Sequence, residues 1–257
     1  MKIYSWNVLF SNTELDRAFD FISHAPFDIF CLQEVPEALL SRLKTLPVSI
    51  AVGKDSDREV NGNTERIYLV TLSKYPIRRS DTFDLPVPHA PLRTRLFGAL
   101  MRPIMGWSHI YSRGGMQSEV ETPLGMFRVY CIHLLLAHPS VRADGFERAT
   151  RGVDPSRQTI ICGDFNTLES WRIALLNWIL GGSVMDTLHV MKERPAMETR
   201  FAKLGLQNPL RGNPTHGISA SQLDHILVPR GMRVAEKQVI SDRIGSDHHP
   251  IFIDLQA

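Results

Sequence analysis

An acid and an amide stand just after an apolar segment in the middle of the chain. Residues 159–162 lead to Gly163, and Asp164 and Asn166 follow two positions apart. Because side chains at i and i+2 of an extended chain point to the same side, both are predicted to enter one site. A carboxylate there can activate water or handle a leaving-group proton, and an amide can donate to a phosphoryl oxygen. An Asx turn that caps a following helix is the alternative interpretation.

Two acid–histidine pairs occur in the last part of the chain. Asp224 and His225 begin an apolar segment, and Asp247 and His248 stand just before the last one. An imidazole beside a carboxylate can transfer protons near neutral pH. Because burying an unpaired carboxylate is costly, Asp224 needs a partner, and we expect a catalytic histidine. A loop that is merely rich in polar residues is the alternative for 245–250.

Polar residues also accompany apolar segments in the first half of the chain. Asn7 lies on the first predicted strand, and Glu34 ends the second. Glu34 offers a hard oxygen ligand of the kind that Mg²⁺ binds in proteins. His133 ends another apolar segment, where a histidine is more often a hydrogen-bonded core residue than a functional one.

These signals form an ordered series from Asn7 to Pro250: a strand asparagine, Q-E, a strand histidine, G-D-F-N, L-D-H and S-D-H-x-P. The series resembles the endonuclease/exonuclease/phosphatase superfamily, which includes DNase I, AP endonucleases, deadenylases, inositol polyphosphate phosphatases and neutral sphingomyelinases. The resemblance covers nearly the whole chain. It implies an α/β fold of the DNase I-like type, a four-layer α/β/β/α sandwich with the site at one edge of its two sheets.

The resemblance also implies a metal site and a residue that acts on water. Glu34 is the expected main ligand of Mg²⁺, for which Mn²⁺ could substitute. Asn7 and Asp247 are expected close to the ion or its waters. Asp164 is expected to orient or deprotonate the attacking water or to assist the leaving oxygen.

The remaining residues of the series are expected to contact the phosphoryl group. Asn166 and His133 resemble the family's donors to the phosphoryl oxygens. His248, paired with Asp224, resembles either a general base or a charged phosphate ligand, and both roles stay open. Mg²⁺, two imidazoles and an amide would together offset the charge that develops in the transition state.

The sequence also departs from individual branches of this family. AP endonucleases have N-x-D where this chain has Asn7 and Leu9, and they have a tyrosine where it has His133, so we do not expect cleavage at abasic sites. Glu65 and Arg66 precede a strand much as a Glu-Arg pair does in DNase I, where the glutamate holds the strand histidine. We therefore hypothesise that Glu65 orients His133, and an exposed loop acid is the alternative.

The amino-acid composition is that of a single globular domain. The 257 residues are 43% hydrophobic and 22% charged, which is typical of globular proteins and predicts one domain over 1–257. A net charge of +2 is too small to indicate a nucleic-acid partner. Cys31, Cys131 and Cys162 lie in apolar segments without C-x-x-C spacing, so we expect free core cysteines. With no leader and no long apolar run, a soluble cytoplasmic protein is predicted.

Strands and helices are predicted to mix without strict alternation. The predicted strands are Ile3–Phe10, Asp28–Leu32, Ile67–Leu72, Met126–His133, Thr159–Cys162, Gln222–Val228, Arg233–Ile240 and Ile251–Leu255. Three helices are predicted. The first begins after an N-cap at Ser11, Asn12 or Thr13, and the other two cover Glu37–Lys44 and Leu168–Leu180. Tyr111–Met126 is predicted to be a hairpin with its turn at Gly114 and Gly115.

Two segments, Lys74–Ser108 and Ala137–Arg157, show no regular pattern and are predicted to be irregular. The first contains the apolar run Leu96–Met105, which either packs on the domain or contacts a membrane or the substrate. The second carries Arg142 and three other arginines, which either follow a phosphate backbone or form a solvated face.

The residues and the resemblance together predict a Mg²⁺-dependent phosphodiesterase that acts on nucleic acid. A phospholipid, sphingomyelin or phosphoinositide phosphoesterase is the alternative, indicated by Leu96–Met105. A binding protein that kept the fold without catalysis would be expected to lose Glu34, Asp164 or His248, and all three are present. The sequence does not distinguish endonuclease from exonuclease action, and it does not set the oligomeric state.

Overall fold

A computed structural model describes residues 1–60, 62–105 and 109–256, with side chains for all of these except 60 and 102–105. The strands are β1 (Lys2–Asn7), β2 (Ile29–Val35), β3 (Ser49–Val60), β4 (Asn63–Ser73), β5 (Ile77–Leu85), β6 (Ile110–Thr122), β7 (Gly125–His133), β8 (Thr159–Asp164), β9 (Leu206–Gln207), β10 (Asp224–Pro229), β11 (Arg233–Val239) and β12 (Ile251–Gln256). The α-helices are α1 (Leu15–His24), α2 (Glu37–Leu43), α3 (Leu92–Met105), α4 (Pro139–Ala149), α5 (Ala174–Ile179), α6 (Val184–Leu188) and α7 (Glu193–Lys203). Short 3-10 helices cover Trp171–Ile173 and Val190–Lys192.

The twelve strands in the described ranges form one hydrogen-bonded sheet. Eleven of them follow the order β11-β12-β1-β2-β4-β3-β6-β7-β8-β10-β9, and β5 lies off this path and pairs with β6. The pairs β1/β2 and β7/β8 are parallel, and the other neighbours are antiparallel. The sheet curls so that its two halves face each other across a central core, in which Ile3 and Cys31 of one half meet Cys131, Cys162 and Ile226 of the other.

Each half of the sheet buries its other face under helices. Tyr4 alternates with Ile3 along β1, so one side chain joins the core under α1 and α2 while the other joins the central core. Phe146 of α4 and Phe201 of α7 cover β7 and β8 in the same way. Strands buried on both faces become nearly continuous in apolar residues. The result is the predicted α/β/β/α arrangement of the DNase I-like fold.

Strand register brings the polar strand ends together. In the parallel pairs, Asn7 lies beside Gln33, and His133 lies beside Asp164. Asp224 pairs with Asp164 across the antiparallel β10/β8 ladder. Strands from both halves of the sheet therefore bring side chains that can do chemistry to one edge.

All eight predicted strands are present, with ends shifted by up to four residues, whereas the helices were less well predicted. The predicted helix Leu168–Leu180 is replaced by the 3-10 helix and the shorter α5. The predicted N-caps of the first helix are wrong, because Glu14 precedes α1 without a capping side chain. Asn12 instead donates hydrogen bonds to the carbonyls of Val8 and Ile244.

The predicted turn at Gly114 and Gly115 is wrong, because β6 continues through both residues. A Cβ atom on Gly114 would lie 2.4 Å from the Lys54 carbonyl oxygen, and one on Gly115 would lie 2.3 Å from the Phe83 ring. These glycines therefore permit close approach within the sheet, and the chain turns between Thr122 and Gly125 instead.

The two segments predicted to be irregular contain regular structure. Lys74–Ser108 holds β5 and α3, although 106–108 lie outside the described residues, and Ala137–Arg157 holds α4. The pattern of β5 is largely polar because most of its side chains are exposed, so it lacked the signal of a buried strand. In the described part of the chain, no helix has the length and apolar character needed to cross a membrane. The three cysteines are free and buried, as predicted.

Candidate active site

Asp164 lies at the centre of the site, buried at the end of β8. Its Oδ1 accepts the backbone N–H of Asn166 at 2.8 Å, and its Oδ2 accepts the Asn7 amide at 3.1 Å. Gly163 precedes it at a φ of 145°, where a Cβ atom would lie 1.8 Å from the Ile132 carbonyl oxygen. Glycine is therefore required for β8 to approach β7 and present the carboxylate. Burial raises the pKa of Asp164, although His248 and His133 oppose this effect.

His133 lies between three carboxylates at the end of β7. Its Nε2 is 3.5 Å from Oδ2 of Asp164 and 3.9 Å from Oε1 of Glu34. The Asn166 side-chain nitrogen lies 3.3 Å from the same Nε2 and donates to the Leu134 carbonyl at 2.9 Å. The strand histidine is thus part of the polar site and is not an isolated core residue.

Asp55 of β3 holds this histidine and was not predicted. Its Oδ2 lies 3.0 Å from Nδ1 of His133 and accepts the backbone N–H of Glu34 at 2.8 Å. Arg113 donates to its Oδ1 at 3.1 Å. Burial would raise the pKa of Asp55, but the charges of His133 and Arg113 outweigh it and lower the pKa to about 2. Asp55 is therefore ionised at neutral pH.

The hypothesis that Glu65 orients His133 is wrong. Glu65 lies on β4 opposite Arg58 of β3, and its side chain is exposed. The resemblance correctly indicated that a carboxylate holds the histidine, but the carboxylate is Asp55. Little in the local pattern indicated Asp55, because β3 was not predicted and the acid lies among polar neighbours.

His248 and Asp224 form the expected pair. Nδ1 of His248 lies 2.8 Å from Oδ2 of Asp224, which also accepts the Thr215 hydroxyl at 2.6 Å. Nε2 of His248 lies 3.6 Å from Oδ2 of Asp164. Burial would lower the pKa of His248, but the charges of Asp224 and Asp164 raise it well above its ordinary value. The imidazole is consequently a cation at neutral pH.

The loop that carries His248 is tied to β1. The Ser246 hydroxyl donates to the Asn7 carbonyl at 2.7 Å and accepts the backbone N–H of His248 at 3.0 Å. The Trp6 indole donates to the His248 carbonyl at 3.2 Å. Two residues of the first strand therefore hold the loop of this histidine in place.

Glu34 is the second-last residue of β2 and lies in the left-handed backbone region, with a φ of 54°. Its Oε2 accepts the backbone N–H of Phe10 at 3.1 Å, and its Oε1 accepts Arg58 at 3.2 Å. Burial would raise the pKa of Glu34, but Arg58 and His133 outweigh it and lower the pKa. The residue predicted as the main metal ligand is thus ionised, with one side of its carboxylate against an arginine.

Asp247 lies beside a histidine that the sequence did not single out as a site residue. Nε2 of His216 is 3.6 Å from Oδ2 of Asp247, and the His216 and His248 ring centroids are 5.1 Å apart. Burial would raise the pKa of Asp247, but His216 and His248 lower it to about 2. The backbones of His216 and His248 form an isolated antiparallel β-bridge. Their separation in the sequence does not indicate this contact.

The site has the chemical features of a divalent-cation site. Within the described ranges, ligand atoms lie within 4.8 Å of one another in two groups: one of His216, Asp247 and His248, and one of Asp164, Asp224 and His248. Oδ1 of Asp247 and Oδ1 of Asp224 are buried and lack a hydrogen-bond partner in the described structure. Because a buried carboxylate oxygen needs a partner, an ion or its waters would fit there. Glu34 is in neither group.

The family follows from comparison of the whole chain. Residues 4–248 match the model of the Endonuclease/Exonuclease/phosphatase family. The chain belongs to this family. Its members are hydrolases that act on phosphoesters, so the protein is a phosphoesterase. No curated protein matches the sequence.

Solved structures share the fold of this family member at low sequence identity. An endonuclease/exonuclease/phosphatase from Beutenbergia cavernae has a TM-score of 0.69 at 16% identity, covering 100% of this chain and 71% of that one. A mannosyl-6-phosphatase from Bacteroides thetaiotaomicron has a TM-score of 0.62 at 16% identity, with 100% of both chains covered. A 3′ phosphatase from Neisseria, bound to a product DNA hairpin, has a TM-score of 0.61 at 16% identity, with 100% of both chains covered.

The phosphoesterase brings eight of its nine predicted site residues to one edge of the sheet, and Glu65 is the exception. The imidazoles of His133 and His248 flank the Asp164 carboxylate, and each imidazole is held by its own further carboxylate. The Asn166 amide lies beside His133. Such a set can move a proton and can also surround an anion with donors.

Proposed function

We propose that this phosphoesterase hydrolyses phosphodiester bonds with the help of Mg²⁺. The observation that carries the proposal is the position of Asp164 between two imidazoles. Its Oδ2 lies 3.5 Å from Nε2 of His133 and 3.6 Å from Nε2 of His248. A proton acceptor that lies between two donors suits attack by water on an anionic phosphorus centre.

Glu34, Asn7 and Asp247 would hold the metal ion. When bound, Mg²⁺ or Mn²⁺ would polarise a phosphoryl oxygen and make the attacking water more acidic. The unpartnered Oδ1 of Asp247 and the ionised Glu34 support this choice of ligands.

The protein's own residues would share the work of one substitution at phosphorus. Asp164 takes a proton from the water as the water oxygen bonds to phosphorus, and the raised pKa of Asp164 suits this role. His133 and Asn166 donate to the non-bridging oxygens. The bond from phosphorus to the leaving oxygen then breaks, that oxygen takes up a proton from solvent, and Asp164 returns the water proton to solvent. Charged His248 stabilises the negative charge on the phosphoryl group. Asp224 holds the His248 ring in its orientation.

Nucleic acid is the first candidate substrate. The sequence favoured it, and relatives in fold include the Neisseria 3′ phosphatase bound to DNA and an AP endonuclease from Archaeoglobus fulgidus. A membrane lipid is the second candidate, and exposed apolar residues on the helices favour it. The cytoplasmic location stays a prediction for either substrate.

A soluble bis-aryl phosphodiester tests the reaction without assuming a natural substrate. We expect turnover with Mg²⁺ or Mn²⁺ and none with EDTA. Asp164→Asn should reduce kcat by about 100-fold or more. The matched control is Asp16→Asn, since the Asp16 side chain is 94% exposed, and it should leave kcat unchanged. Turnover that resists EDTA, or an Asp164→Asn variant as active as wild type, would contradict the proposal.

A second panel distinguishes the substrates. It compares single-stranded DNA, duplex DNA, RNA and sphingomyelin vesicles at one ionic strength, because phosphate-backbone binding depends strongly on salt. Cleavage of nucleic acid alone would support the first candidate. Cleavage of the vesicle lipid alone would support the second.

A further inference from the structure

Helix α3 exposes a stripe of leucines. Leu92, Leu96 and Leu100 recur every four residues, and their exposed fractions are 69%, 62% and 70%. Residues at this spacing lie on one face of a helix. The face is thus apolar and solvent-exposed over about two turns, which is unusual for the surface of a soluble domain.

The opposite side of α3 is already packed on the domain. The buried Thr94 donates its hydroxyl to the Ile179 carbonyl at 2.7 Å, and Arg93 donates to the Gly182 carbonyl at 2.6 Å. The Arg93 guanidinium also lies 4.8 Å from the Trp178 ring. These contacts fix α3 on the junction of α5 and α6. The leucine face is consequently free to meet something outside the chain.

The neighbouring helices extend the apolar area. Trp171 of the 3-10 helix, Leu175 of α5 and Leu188 of α6 are each at least 60% exposed. α5 contacts both α3 and α6. We call these side chains the apolar helical surface: Leu92, Leu96, Leu100, Trp171, Leu175 and Leu188.

The charge around the apolar helical surface is positive. Arg95 of α3 is exposed, and so is Arg172, which follows Trp171. Arg93 is engaged with the Gly182 carbonyl, and the acid in α6, Asp186, accepts the Ser183 hydroxyl. Lys192 lies just beyond α6. Apolar side chains that penetrate an interface, with arginine and lysine around them, fit an anionic bilayer surface. A nucleic acid would use the cations but would leave the leucines in contact with water.

The apolar helical surface is connected to the active site. Trp171 lies five positions after Asn166 in the chain, and the intervening Glu169 donates its backbone N–H to the Ser221 hydroxyl at 3.2 Å. The Ser221 loop also contains Ile218, which is exposed, and Ser219, whose hydroxyl lies 2.9 Å from Nδ1 of His216. Apolar contacts on both loops would bring the headgroup layer to the site.

We propose that the apolar helical surface docks this enzyme on anionic lipid bilayers, and that its substrate is the phosphodiester of a membrane lipid. The choice of substrate rests on the phosphodiester hydrolysis proposed above, whereas the docking does not. Leucines inserted between lipid headgroups hold the protein, and arginines are attracted to lipid phosphates. The second candidate substrate thereby becomes the favoured one.

Co-sedimentation with vesicles tests the docking. The full chain is mixed with vesicles of phosphatidylcholine and phosphatidylserine, or of phosphatidylcholine alone. We expect binding to the mixed vesicles, and about tenfold weaker binding for the double variant Leu96→Ser with Leu100→Ser. The matched control is Met126→Ser, because Met126 is 47% exposed on β7 and lies outside the apolar helical surface. This control should bind like wild type.

Turnover of the soluble bis-aryl phosphodiester separates docking from catalysis. The double variant should keep wild-type turnover of this ester, which also shows that it is folded, and should lose turnover of lipid in vesicles. Wild-type protein that stays in the supernatant would overturn the docking. The docking would also be overturned if the double variant bound vesicles like wild type and had instead lost DNA binding or self-association. Vesicle binding without turnover of any ester would leave the docking in place and overturn the proposed function.

Discussion

Nδ1 of His133 lies 3.0 Å from Oδ2 of Asp55, and both residues are almost fully buried. The same carboxylate oxygen accepts the backbone N–H of Glu34, so one acid of β3 fixes both a phosphoryl donor and the predicted metal ligand. A carboxylate that accepts from Nδ1 leaves Nε2 of the ring to face the substrate, and it sets the tautomer.

Replacing Asp55 with Asn should damage catalysis without removing any group that touches the substrate. We expect kcat for the soluble phosphodiester to fall by about 10- to 100-fold, as is usual when an orienting carboxylate is lost. The amide cannot balance the charge of Arg113, so the variant should also be less stable. The readouts are kcat and the free energy of unfolding in urea.

Glu65→Gln is the matched control for this prediction, because Glu65 is exposed on the adjacent strand β4. Its kcat should stay within about twofold of wild type, and its free energy of unfolding should stay within about 0.5 kcal/mol. If Glu65→Gln abolished turnover while Asp55→Asn did not, the assignment of the orienting residue to Asp55 would be refuted.

A buried neutral histidine predicts how stability depends on pH. Nδ1 of His225 donates to the Leu223 carbonyl at 2.9 Å, Nε2 contacts Arg194, and the ring stacks on Phe165 at 4.4 Å. Because Nδ1 is the donor, Nε2 carries no proton and accepts from the guanidinium. Burial and the Arg194 charge hold the pKa of His225 well below its ordinary value.

The unfolded chain therefore binds a proton at His225 that the folded chain does not. Below about pH 6.5, this difference lowers the free energy of unfolding by about 1.4 kcal/mol per pH unit, down to the folded-state pKa. His225→Gln keeps a donor and an acceptor without titrating, so its unfolding free energy should fall less steeply. The exposed His24→Gln should keep the wild-type slope. Parallel slopes for wild type and His225→Gln would show that His225 does not stay neutral.

The sequence predicted the strands that are buried on both faces and the motifs at their ends. Asp164, Asp224 and His248 each follow or begin an apolar segment, so their position at a sheet edge could be read from local pattern. The resemblance then supplied the fold, because the order of the motifs extends over nearly the whole chain.

The elements that were missed depend on contacts distant in sequence. Asp55 becomes important only because β3 pairs with β6 and brings Arg113 against it. His216 meets Asp247 because its loop forms a bridge to His248, just before the last strand. Gly114 looks like a turn residue, and only the approach of Lys54 shows why a strand needs glycine there. Local propensity does not report such long-range pairing.

A buried ion pair rules out both interpretations that the sequence left open for Arg142, a phosphate contact and a solvated face. Arg142 of α4 is fully buried, and its Nε and Nη2 donate to the two carboxylate oxygens of Glu193 at 2.6 and 2.5 Å. Nη2 also donates to Oδ1 of Asn177 at 3.0 Å. Arg142 therefore joins α4 to α5 and α7, the region that supports the apolar helical surface, and it cannot follow a phosphate backbone.

Removing one partner of this pair should destabilise the protein strongly. Arg142→Ala leaves the Glu193 carboxylate buried without its partner, and we expect a loss of about 3–5 kcal/mol in the free energy of unfolding. The double variant Arg142→Met with Glu193→Met should recover most of this loss, because no buried charge remains. Arg148→Ala, at an exposed pair with Asp144, should cost no more than about 0.5 kcal/mol. If the double variant were as unstable as Arg142→Ala, packing around the guanidinium, and not the uncompensated charge, would be what holds these helices together.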